Sequence, residues 1–358
     1  MSAPRSVTLK DVALAAGVHT ASVSRALRGV DKRVSLETRL HIQKVAQELG
    51  YRPNAAATTL RTRRSNLVGI LVPDLGNPLF GPLVTGLELE LRARGLMCLV
   101  VHPADAPAER RDLIATLATQ QICGFLILTA ERSDPMLEAA LAHDIPTVLV
   151  NRTDGSQRFA TVVNDDFQSV RLILEHLAEL GHRRIAHVAG SPASSTSHLR
   201  RQAFDQVCGQ LGLQGLVVQA STCTREGGFA AADASLQQAK PGFAGCSAIF
   251  AANDMIAMGV LDALRRHGRR VPDDVSLVGH NDMPLVDLVT PPLTTVRVAI
   301  DAIAREAIGV LRDLMEPGGD QRPAVLLEPT LVVRGSTARP AKGAAPASPL
   351  QAESVNRS

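Results

Sequence analysis

Five residues near the start of the chain have the spacing of a single helix face: Thr20, Ala21, Ser24, Arg25 and Arg28. Steps of one and three residues bring side chains to the same side of an α-helix. The face is short, largely polar, and ends in two guanidinium groups, which can donate paired hydrogen bonds to an anion or a planar acceptor. It is either a recognition surface or the solvated side of a small helix.

The residues before this face predict a partner helix that positions it. Thr8 can cap that first helix, and Asp11 completes a capping box three residues later. Gly17 is the expected terminator, and Val18 would lie between the two helices. The apolar residues at helical spacing are Leu9, Val12, Ala13 and Ala16 in the first helix and Val23, Ala26 and Leu27 in the second.

Small residues on both helices favour a helix-turn-helix, because alanines let two backbones approach closely. A plain helical hairpin with a solvated face is the alternative. A third helix is predicted over residues 35–50, with Ile42, Val45, Ala46 and Leu49 inward and Gly50 at its end. Residues 1–65 carry 12 Lys and Arg against 4 Asp and Glu, a net charge of +8, whereas residues 66–358 carry 26 against 31, a net charge of −5. A basic three-helix unit on an acidic body indicates attraction to a phosphate backbone.

Two stretches carry a family resemblance. "VTLKDVALAAGVHTASVSRALRG" (7–29) and "YRPNAAATTLRTRRSNLVGILVPD" (51–74) resemble the DNA-binding head and hinge of the LacI/GalR (lactose-repressor) family of bacterial transcription regulators. The departures from the family pattern are His19 for Ser, Ser22 for Thr and Arg28 for Asn. The resemblance implies an all-α helix-turn-helix head (1–52), a hinge helix and linker (53–65), and an α/β periplasmic-binding-protein-like core of two doubly wound subdomains (66–336).

The resemblance also implies roles in DNA binding. Residues 20–28 would form the recognition helix in the major groove, with Thr20, Ala21, Arg25 and Arg28 facing the bases. Arg25 can make a bidentate contact with guanine, whereas Ala21 offers only an apolar contact. Phosphate contacts, which position the head without reading sequence, fall to Thr8, His19, Ser24, Lys32 and Arg33.

A short helix is predicted after Pro53. Asn54 can cap it, and it would run to Leu60. A helix this short is marginal in water and would fold only on binding. The resemblance implies that it pairs with its dimer mate in the DNA minor groove, with Leu60 as an apolar wedge beside Ala57. A basic interdomain linker is the alternative.

Strands and helices alternate over residues 66–335. The apolar run "LVGILVPD" (67–74) is typical of a buried parallel strand, and "PLVTGLELELRARG" (82–95) of an amphipathic helix. Repeats of this cycle predict about ten strands. With the helices between them, this stretch of the chain is too long to form one sheet core. We therefore expect two doubly wound subdomains, with the chain crossing between them near 161–164, 290–296 and about 326.

Polar residues collect directly after the predicted strands, where doubly wound sheets bind ligands. Singly, each Asn or Asp is more simply a cap or turn residue; together they resemble a carbohydrate or polyol site. "ANDMIAMG" (252–259) and "VPDDVSLVGHND" (271–282) extend the resemblance to the family's effector domain. The candidate effector-binding residues are Asp74, Asn77, Phe80, Asn151, Asp166, Arg200, Asn253 and Asn281.

Two of these candidate residues predict the kind of effector that would bind. Asn281 stands where the family commonly has Asp, and an amide donates as well as accepts. Arg200 would then face one carboxylate fewer than in family members with Asp at this position. The loss of that negative charge favours a sugar acid or sugar phosphate over a neutral sugar as the ligand. Trp is absent and Tyr51 is the sole tyrosine, so ring stacking would fall to a phenylalanine such as Phe80 or Phe167.

Other function classes lack their signatures in this sequence. It contains no G-x-S-x-G, G-x-x-x-x-G-K-[ST] or H-E-x-x-H motif, and its five cysteines form no C-x-x-C pair. We therefore predict neither an enzyme nor a cofactor or metal site. The alternative, a periplasmic sugar receptor, would carry an apolar signal segment, which "MSAPRSVTLK" lacks. A cytoplasmic, nucleoid-associated protein with reduced, buried thiols is expected, with His182 and His187 structural.

The last predicted segment is a disordered tail over residues 337–358, rich in Pro, Ala and Ser and without leucine heptads. We therefore expect a homodimer on pseudopalindromic double-stranded operator DNA. A sugar, sugar acid or sugar phosphate bound between the subdomains would reorient them and change operator affinity. A coupling of 1–3 kcal/mol corresponds to a change of about 5- to 150-fold.

Overall fold

The computed structural model describes residues 7–27, 34–51, 65–104, 106–131, 134–237, 243 and 245–341. The chain divides after Ser65 into two compact units. Several residues of the predicted DNA-binding surface lie outside the described residues: Arg28, Lys32, Arg33, Asn54, Ala57 and Leu60.

The first unit contains helices α1 (Leu9–Ala15), α2 (Thr20–Ala26) and α3 (Leu36–Glu48). The predicted capping box is confirmed: the backbone N–H and the hydroxyl of Thr8 donate to the Asp11 carboxylate at 2.8 and 2.7 Å. Gly17 follows α1 with φ of +64°, a left-handed conformation that costs glycine little. These local signals fix the turn between α1 and α2.

The core of this unit is small and rich in alanine. Seven residues predicted to face inward are buried: Val12, Ala13, Ala16, Val23, Ala26, Ile42 and Ala46. Leu49 is a correction, because it is 38% exposed at the C-cap of α3 instead of facing inward. The small side chains let α1 and α2 pack closely, as a helix-turn-helix requires.

The second unit contains two parallel sheets, as predicted. The first sheet has the order β11-β5-β4-β3-β1-β2. Its strands are β1 (Leu67–Leu71), β2 (Met97–Val101), β3 (Gly124–Ile127), β4 (Thr147–Val150), β5 (Ala160–Asn164) and β11 (Ala324–Leu327). The helices between them are α4 (Phe80–Arg92), α5 (Pro107–Thr119) and α6 (Pro135–Ala142).

The second sheet has the order β7-β6-β8-β9 and is also parallel. Its strands are β6 (Arg184–Ala189), β7 (Gln214–Gln219), β8 (Ala248–Ala251) and β9 (Ser276–Val278). The helices of this half are α7 (Asp166–Glu179), α8 (Ser195–Leu211), α9 (Arg225–Gln237) and α10 (Asp254–Arg266).

The chain passes between the two halves at residues 164–166, 297–300 and 327–330. Strand β10 (Thr295–Arg297) pairs antiparallel with β12 (Thr330–Val332) beside the passages. Helix α11 (Ile300–Met315) was not among the predicted elements, although its apolar residues recur at helical spacing. It returns to the first half and packs against α4, β3, β4 and β5. Its apolar face completes the first core.

The predicted start of the tail is wrong. Residues 337–340 pack on the second half instead of leaving it. The Ala338 N–H donates to Ser276 Oγ at 3.0 Å, and the Ala338 carbonyl lies 2.9 Å from His182 Nε2. Thr337 Oγ1 lies 3.1 Å from His176 Nε2. These polar contacts need no apolar periodicity, so the sequence pattern did not reveal them.

Helices α9 and α10 cross through glycine backbones. A Cβ on Gly228 would lie 2.5 Å from the Ile256 carbonyl oxygen, and one on Gly259 would overlap the Arg225 carbonyl and the Phe229 amide. These neighbours are backbone atoms of packed helices and cannot turn away. The crossing therefore depends on glycine at these positions.

We predict that Gly259→Ala lowers the free energy of unfolding of this unit by about 2–3 kcal/mol, as overpacking does elsewhere. Gly309→Ala is the matched control, because Gly309 also lies within a helix but a Cβ added there would have no neighbouring atom within 4 Å. That variant should gain about 0.5–1 kcal/mol from helix propensity. Urea unfolding of both variants measures the difference; equal effects would contradict the close crossing.

Candidate functional site

The exposed face of α2 carries the predicted base-reading residues that the structure describes. Ala21 and Arg25 are exposed, Thr20 and Ser24 are half-buried, and Val23 and Ala26 lie on the opposite, buried side. The helix ends at Ala26 and is therefore shorter than the predicted 20–28. The face has the side-chain chemistry for major-groove contacts.

Two predicted phosphate contacts have additional structural roles. His19 is the N-cap of α2, and its Nδ1 accepts from the Ala21 N–H at 3.2 Å. In the neutral ring the proton is then on Nε2, which can still donate to a phosphate. The Thr8 hydroxyl proton is already donated to Asp11, so Thr8 has no hydroxyl proton left for a phosphate in this arrangement.

A polar cavity lies where the carboxyl ends of the strands in the two sheets meet. Its residues follow β1 and β4 of the first sheet and β6, β7, β8 and β9 of the second. It is lined by Asn77, Leu79, Phe80, Asn151, Arg152, Thr196, Ser197, Arg200, Cys223, Ala252, Asn253 and Asn281. The space open to the centres of water-sized molecules is about 40 Å³, far below the volume of usual ligand pockets, about 300 Å³ or more. A ligand would enter only if the two halves moved apart.

Six of the eight predicted effector residues line this cavity, and two do not. Asp74 is exposed, and its Oδ1 accepts from the Gly76 N–H at 2.8 Å, as a turn residue does. Asp166 is buried behind the cavity wall, where it pairs with Arg200. The prediction that Asp74 and Asp166 line the cavity is therefore corrected. In both cases a carboxylate that follows a strand accepts from the backbone or from a neighbouring cation instead of from a ligand.

The buried guanidinium of Arg200 is the main charged group of the cavity wall. Arg200 is 4% exposed; its Nε donates to Asp166 Oδ1 at 2.7 Å and its Nη1 to the Ala252 carbonyl at 2.5 Å. Burial raises the pKa of the Asp166 carboxyl, and the charge of Arg200 opposes that rise. Within the described part of the chain, Nη2 of Arg200 has no hydrogen-bond partner. This nitrogen can therefore bind a ligand.

Asn281 is held by its neighbour His280. His280 is fully buried, and its Nδ1 lies 3.0 Å from Asn281 Oδ1. An amide oxygen only accepts, so Nδ1 carries the proton. Burial, together with the charge of Arg200, lowers the pKa of His280 well below its ordinary range, so the ring is neutral. The Asn281 amide N–H₂ remains available to the cavity.

The other cavity asparagines differ in how much of their side chain is already bonded. Asn253 caps α10: its Oδ1 accepts from the Ile256 N–H at 2.7 Å, and its Nδ2 donates to the Cys223 carbonyl at 3.0 Å. Asn151 and Asn281 have positive φ angles of 64° and 120°, a backbone region that asparagine tolerates better than most residues. For Asn253, the expectation that each Asn or Asp after a strand is a helix cap or turn residue is therefore correct.

Sequence reasoning did not assign four polar residues of the lining to effector binding: Arg152, which it did place among the polar residues after the strands, and Thr196, Ser197 and Cys223. Thr196 and Ser197 belong to the first turn of α8, whose N-cap Ser194 makes no side-chain cap bond. Arg152 follows β4 directly, so its position was a usable signal. Cys223 was expected to be a buried core thiol, but it is half-exposed, with its Sγ 3.5 Å from Ser197 Oγ.

Two family models match the chain. Residues 8–54 match "Bacterial regulatory proteins, lacI family", and residues 174–337 match "Periplasmic binding protein-like domain". The chain is also 31% identical to the HTH-type transcriptional repressor CytR of Escherichia coli (strain K12), over 92% of this chain and 96% of that protein. The chain belongs to the LacI family of bacterial regulatory proteins. The predicted family, fold class and non-enzymatic function as a transcription regulator are confirmed.

Further LacI-family proteins resemble it along nearly the whole length. The HTH-type transcriptional regulator MalR of Streptomyces coelicolor is 34% identical over 92% of this chain and 96% of its own. A solved structure of the Lac repressor dimer bound to operator and the anti-inducer ONPF aligns with a TM-score of 0.82 and 25% identity, covering 93% of this chain and all of that one. A CelR–cellobiose complex aligns with a TM-score of 0.70 and 30% identity, covering 92% and 99%.

Among the helices in the described ranges of this LacI-family protein, none combines the length and the hydrophobicity needed to cross a membrane.

His187 lies in the core next to the cavity-forming helix α8. Its ring stacks on Phe250, with centroids 4.4 Å apart, and lies 5.1 Å from the Phe204 ring. Nδ1 lies 3.1 Å from the Phe250 carbonyl, and Nε2 has no hydrogen-bond partner in the described residues. Burial lowers the pKa of His187 to about 3. The predicted structural role of this histidine fits these contacts.

This buried neutral ring predicts acid sensitivity. As the pH falls through about 6.5, the unfolded chain binds a proton at His187 while the folded chain does so only near pH 3. The free energy of unfolding should therefore fall, by about 2 kcal/mol at pH 5. His187→Phe, which keeps an aromatic ring, should remove this part of the pH dependence.

The measurement is urea unfolding of wild type and variant between pH 7.5 and 5. Comparing the two proteins cancels other groups, such as Asp254, whose pKa burial raises to about 6 and which acts in the opposite direction. His143→Asn, at an exposed position, is the matched control and should keep the wild-type slope. Identical slopes in wild type and His187→Phe would show that the ring does not titrate as expected.

Proposed function

We propose that this LacI-family regulator is a homodimeric repressor that binds pseudopalindromic operator DNA and is controlled by a sugar-like effector between the halves of its second unit. The observation that carries the proposal is the combination of an exposed, cation-bearing α2 in a basic unit with a polar cavity at the carboxyl ends of two sheets. We retain the division into a head (1–52), a hinge (53–65) and a core from 66, now extended through 341. A cytoplasmic location associated with the nucleoid is part of the proposal.

DNA reading is assigned to α2. We assign Arg25, in the last turn of this helix, to a guanine edge and Ala21, one turn earlier, to a thymine methyl. Thr20 is a further base contact, and Ser24 and His19 are phosphate contacts. The Lac repressor relative is bound to its operator as a dimer, which supports this assignment for the head. The hinge residues Asn54, Ala57 and Leu60 are kept as minor-groove contacts on the family resemblance.

Dimer formation is supported by an exposed apolar strand. β2 is an edge strand of the first sheet, and Met97 is 63% exposed, Leu99 38% and Val100 36%. An apolar edge left open would be an aggregation hazard, so we assign it to contact with a second copy of the chain. Two heads then bind two half-sites, as pseudopalindromic DNA requires.

Effector binding is assigned to the cavity. The polar groups that line it suit a polyhydroxylated ligand, and the CelR relative is a complex with cellobiose. A ligand larger than the present space would change the separation of the two halves. Residues 164–166, 297–300 and 327–330 would act as the hinge, because only there does the chain pass between the sheets within the described residues. The change in the separation of the two halves would shift the paired heads on DNA.

The alternative is a ligand-binding receptor without DNA function. The basic head disfavours it, because a sugar receptor needs no unit with a net charge of +8. It predicts that the full-length protein selects no DNA sequence.

We predict that Arg25→Ala flattens the base preference at one position of each operator half-site and costs about 1–3 kcal/mol of specific binding. The operator is first selected from random duplexes with the full-length wild-type protein. Lys44→Ala is the matched control: it also removes one cation from the head, but Lys44 lies on α3, where it pairs with Glu48. That variant should keep the wild-type base preference. If Arg25→Ala kept the wild-type base preference, Arg25 would not contact a base.

We also predict that one member of a sugar panel changes operator affinity by about 5- to 150-fold. Fluorescence anisotropy of the selected duplex with full-length protein measures the change. The same sugar should not alter binding to random DNA, because non-specific binding depends on phosphate contacts rather than on spacing of the heads. A regulator that selects an operator but responds to no sugar-like compound would refute effector control while leaving DNA binding intact.

A further inference from the structure

As far as the structure describes the chain, the cavity wall offers hydrogen-bond donors and no carboxylate. Its charged side chains are Arg152 and Arg200, and its polar neutral side chains are asparagine, serine and threonine. Asp166, the nearest acid to Arg200, is behind the wall and already bonded to it at 2.7 Å. Each hydroxyl of a neutral sugar donates a proton as well as accepting one. The described residues of this wall provide no anionic acceptor for those donated protons.

Arg152 is the group that most needs a partner. Among the described residues it makes neither a hydrogen bond nor an ion pair, although it lines the cavity. Burial lowers the pKa of its guanidinium. Interaction with Cys223 and Glu131 opposes this change, and the charges of Arg200 and Arg110 add to it. Glu131 attracts Arg152 from beyond ion-pair distance, whereas Arg110 is paired with Asp134. Arg152 is half-buried, and a cation that is partly removed from water without a partner loses stability.

Three further features direct donors into the same space. Arg200 is 4% exposed, yet its Nη2 has no partner in the described chain. The Asn281 amide N–H₂ is free because His280 holds its oxygen. Helix α8 begins at the cavity without a side-chain cap, so its positive dipole end is directed there. The N-terminal part of α8, with Arg200, and the segment after β9, with Asn281, thus both direct donors to one small volume.

We propose that the effector of this regulator is anionic: a polyhydroxylated small molecule whose single carboxylate or phosphate group binds between Arg152 and Arg200, with Asn281 as an additional donor. The inference rests on the proposed effector function of the cavity and narrows its ligand class. Bidentate guanidinium pairing suits both carboxylate and phosphate oxygens. Their shared chemistry is an oxyanion with more acceptors than donors, and the experiment separates the two sources.

The binding test uses the full-length protein and calorimetry. The probes are hexonates and hexuronates in one arm, hexose and pentose phosphates in a second, and their uncharged parent sugars in a third. At least one acidic probe should bind tenfold or more tightly than its parent. The arm that binds distinguishes a carboxylate from a phosphate ligand.

Two variants test the assigned residues. Arg152→Gln should weaken the acidic probe at least tenfold and leave any parent sugar unchanged. Asn281→Asp should weaken it similarly, because it adds a negative charge to the wall at a position where asparagine and aspartate both tolerate the backbone. Arg158→Gln is the matched control: Arg158 lies in the same loop as Arg152 but is exposed and paired with Glu138, so its loss should change nothing.

A second measurement needs no ligand. Cys223 lines the cavity and is half-exposed, so the rates of its alkylation by iodoacetate and iodoacetamide report the local potential. Both reagents attack the thiolate, so their ratio is independent of the thiol pKa. The iodoacetate-to-iodoacetamide ratio at Cys223, read by peptide mapping, should exceed that of the uncharged free thiol 2-mercaptoethanol several-fold and should fall in Arg152→Gln but not in Arg158→Gln.

The outcomes separate the two proposals. Tight binding of an uncharged sugar, unchanged in Arg152→Gln, overturns the anionic effector and leaves sugar control standing. Failure of every acidic probe, or an alkylation ratio at Cys223 no higher than that of 2-mercaptoethanol, also overturns it. Loss of operator selection by wild type would instead refute the proposed regulator, whatever the cavity binds.

Discussion

The buried charge of Arg200 is the constraint around which the second unit is arranged. A guanidinium that is only 4% exposed must find its partners within the protein. Asp166 at the start of α7 and the Ala252 carbonyl at the end of β8 provide them. These two bonds fix α7, α8 and β8 relative to one another, and they leave one nitrogen for the cavity. The same burial keeps neighbouring His280 neutral, and His280 in turn orients Asn281.

Asn281 also connects the cavity to the passages between the two halves. Its N–H donates to the Val296 carbonyl at 2.8 Å, in the strand that leads to α11. The next residue, Asp282, has a left-handed backbone with φ of +52° and pairs with Arg297 and Arg334 at 2.7 and 2.6 Å. A ligand that contacts Asn281 therefore touches a short segment that is bonded to one passage, at Arg297, and to Arg334, which lies just after β12. This gives effector control a physical route that involves few residues.

Polar residues at strand ends serve two purposes in this protein, and their type alone does not separate them. Asn253 lines the cavity, but both ends of its amide bond the backbone. Asp74 makes a turn and Asp166 holds a cation. Asn281, Arg152 and Nη2 of Arg200, in contrast, keep donors for a ligand within the described residues. The distinction depends on which backbone groups lie within about 3 Å, and the fold alone determines those distances.

The sequence by itself determined the local elements and the family. Capping at Thr8, the turn at Gly17, apolar periodicity and runs of buried strand residues are short-range signals, and they predicted α1 to α3 and the alternation of strands and helices. The tertiary structure alone decided which polar groups converge. Arg152 and Cys223 come from separate loops and Thr196 from the first turn of α8, and they meet because the carboxyl ends of the strands in the two sheets face one cavity. Likewise, only long-range hydrogen bonds hold residues 337–340 on the core. Contacts between residues far apart in sequence leave no periodic trace, so no pattern in the chain could supply them.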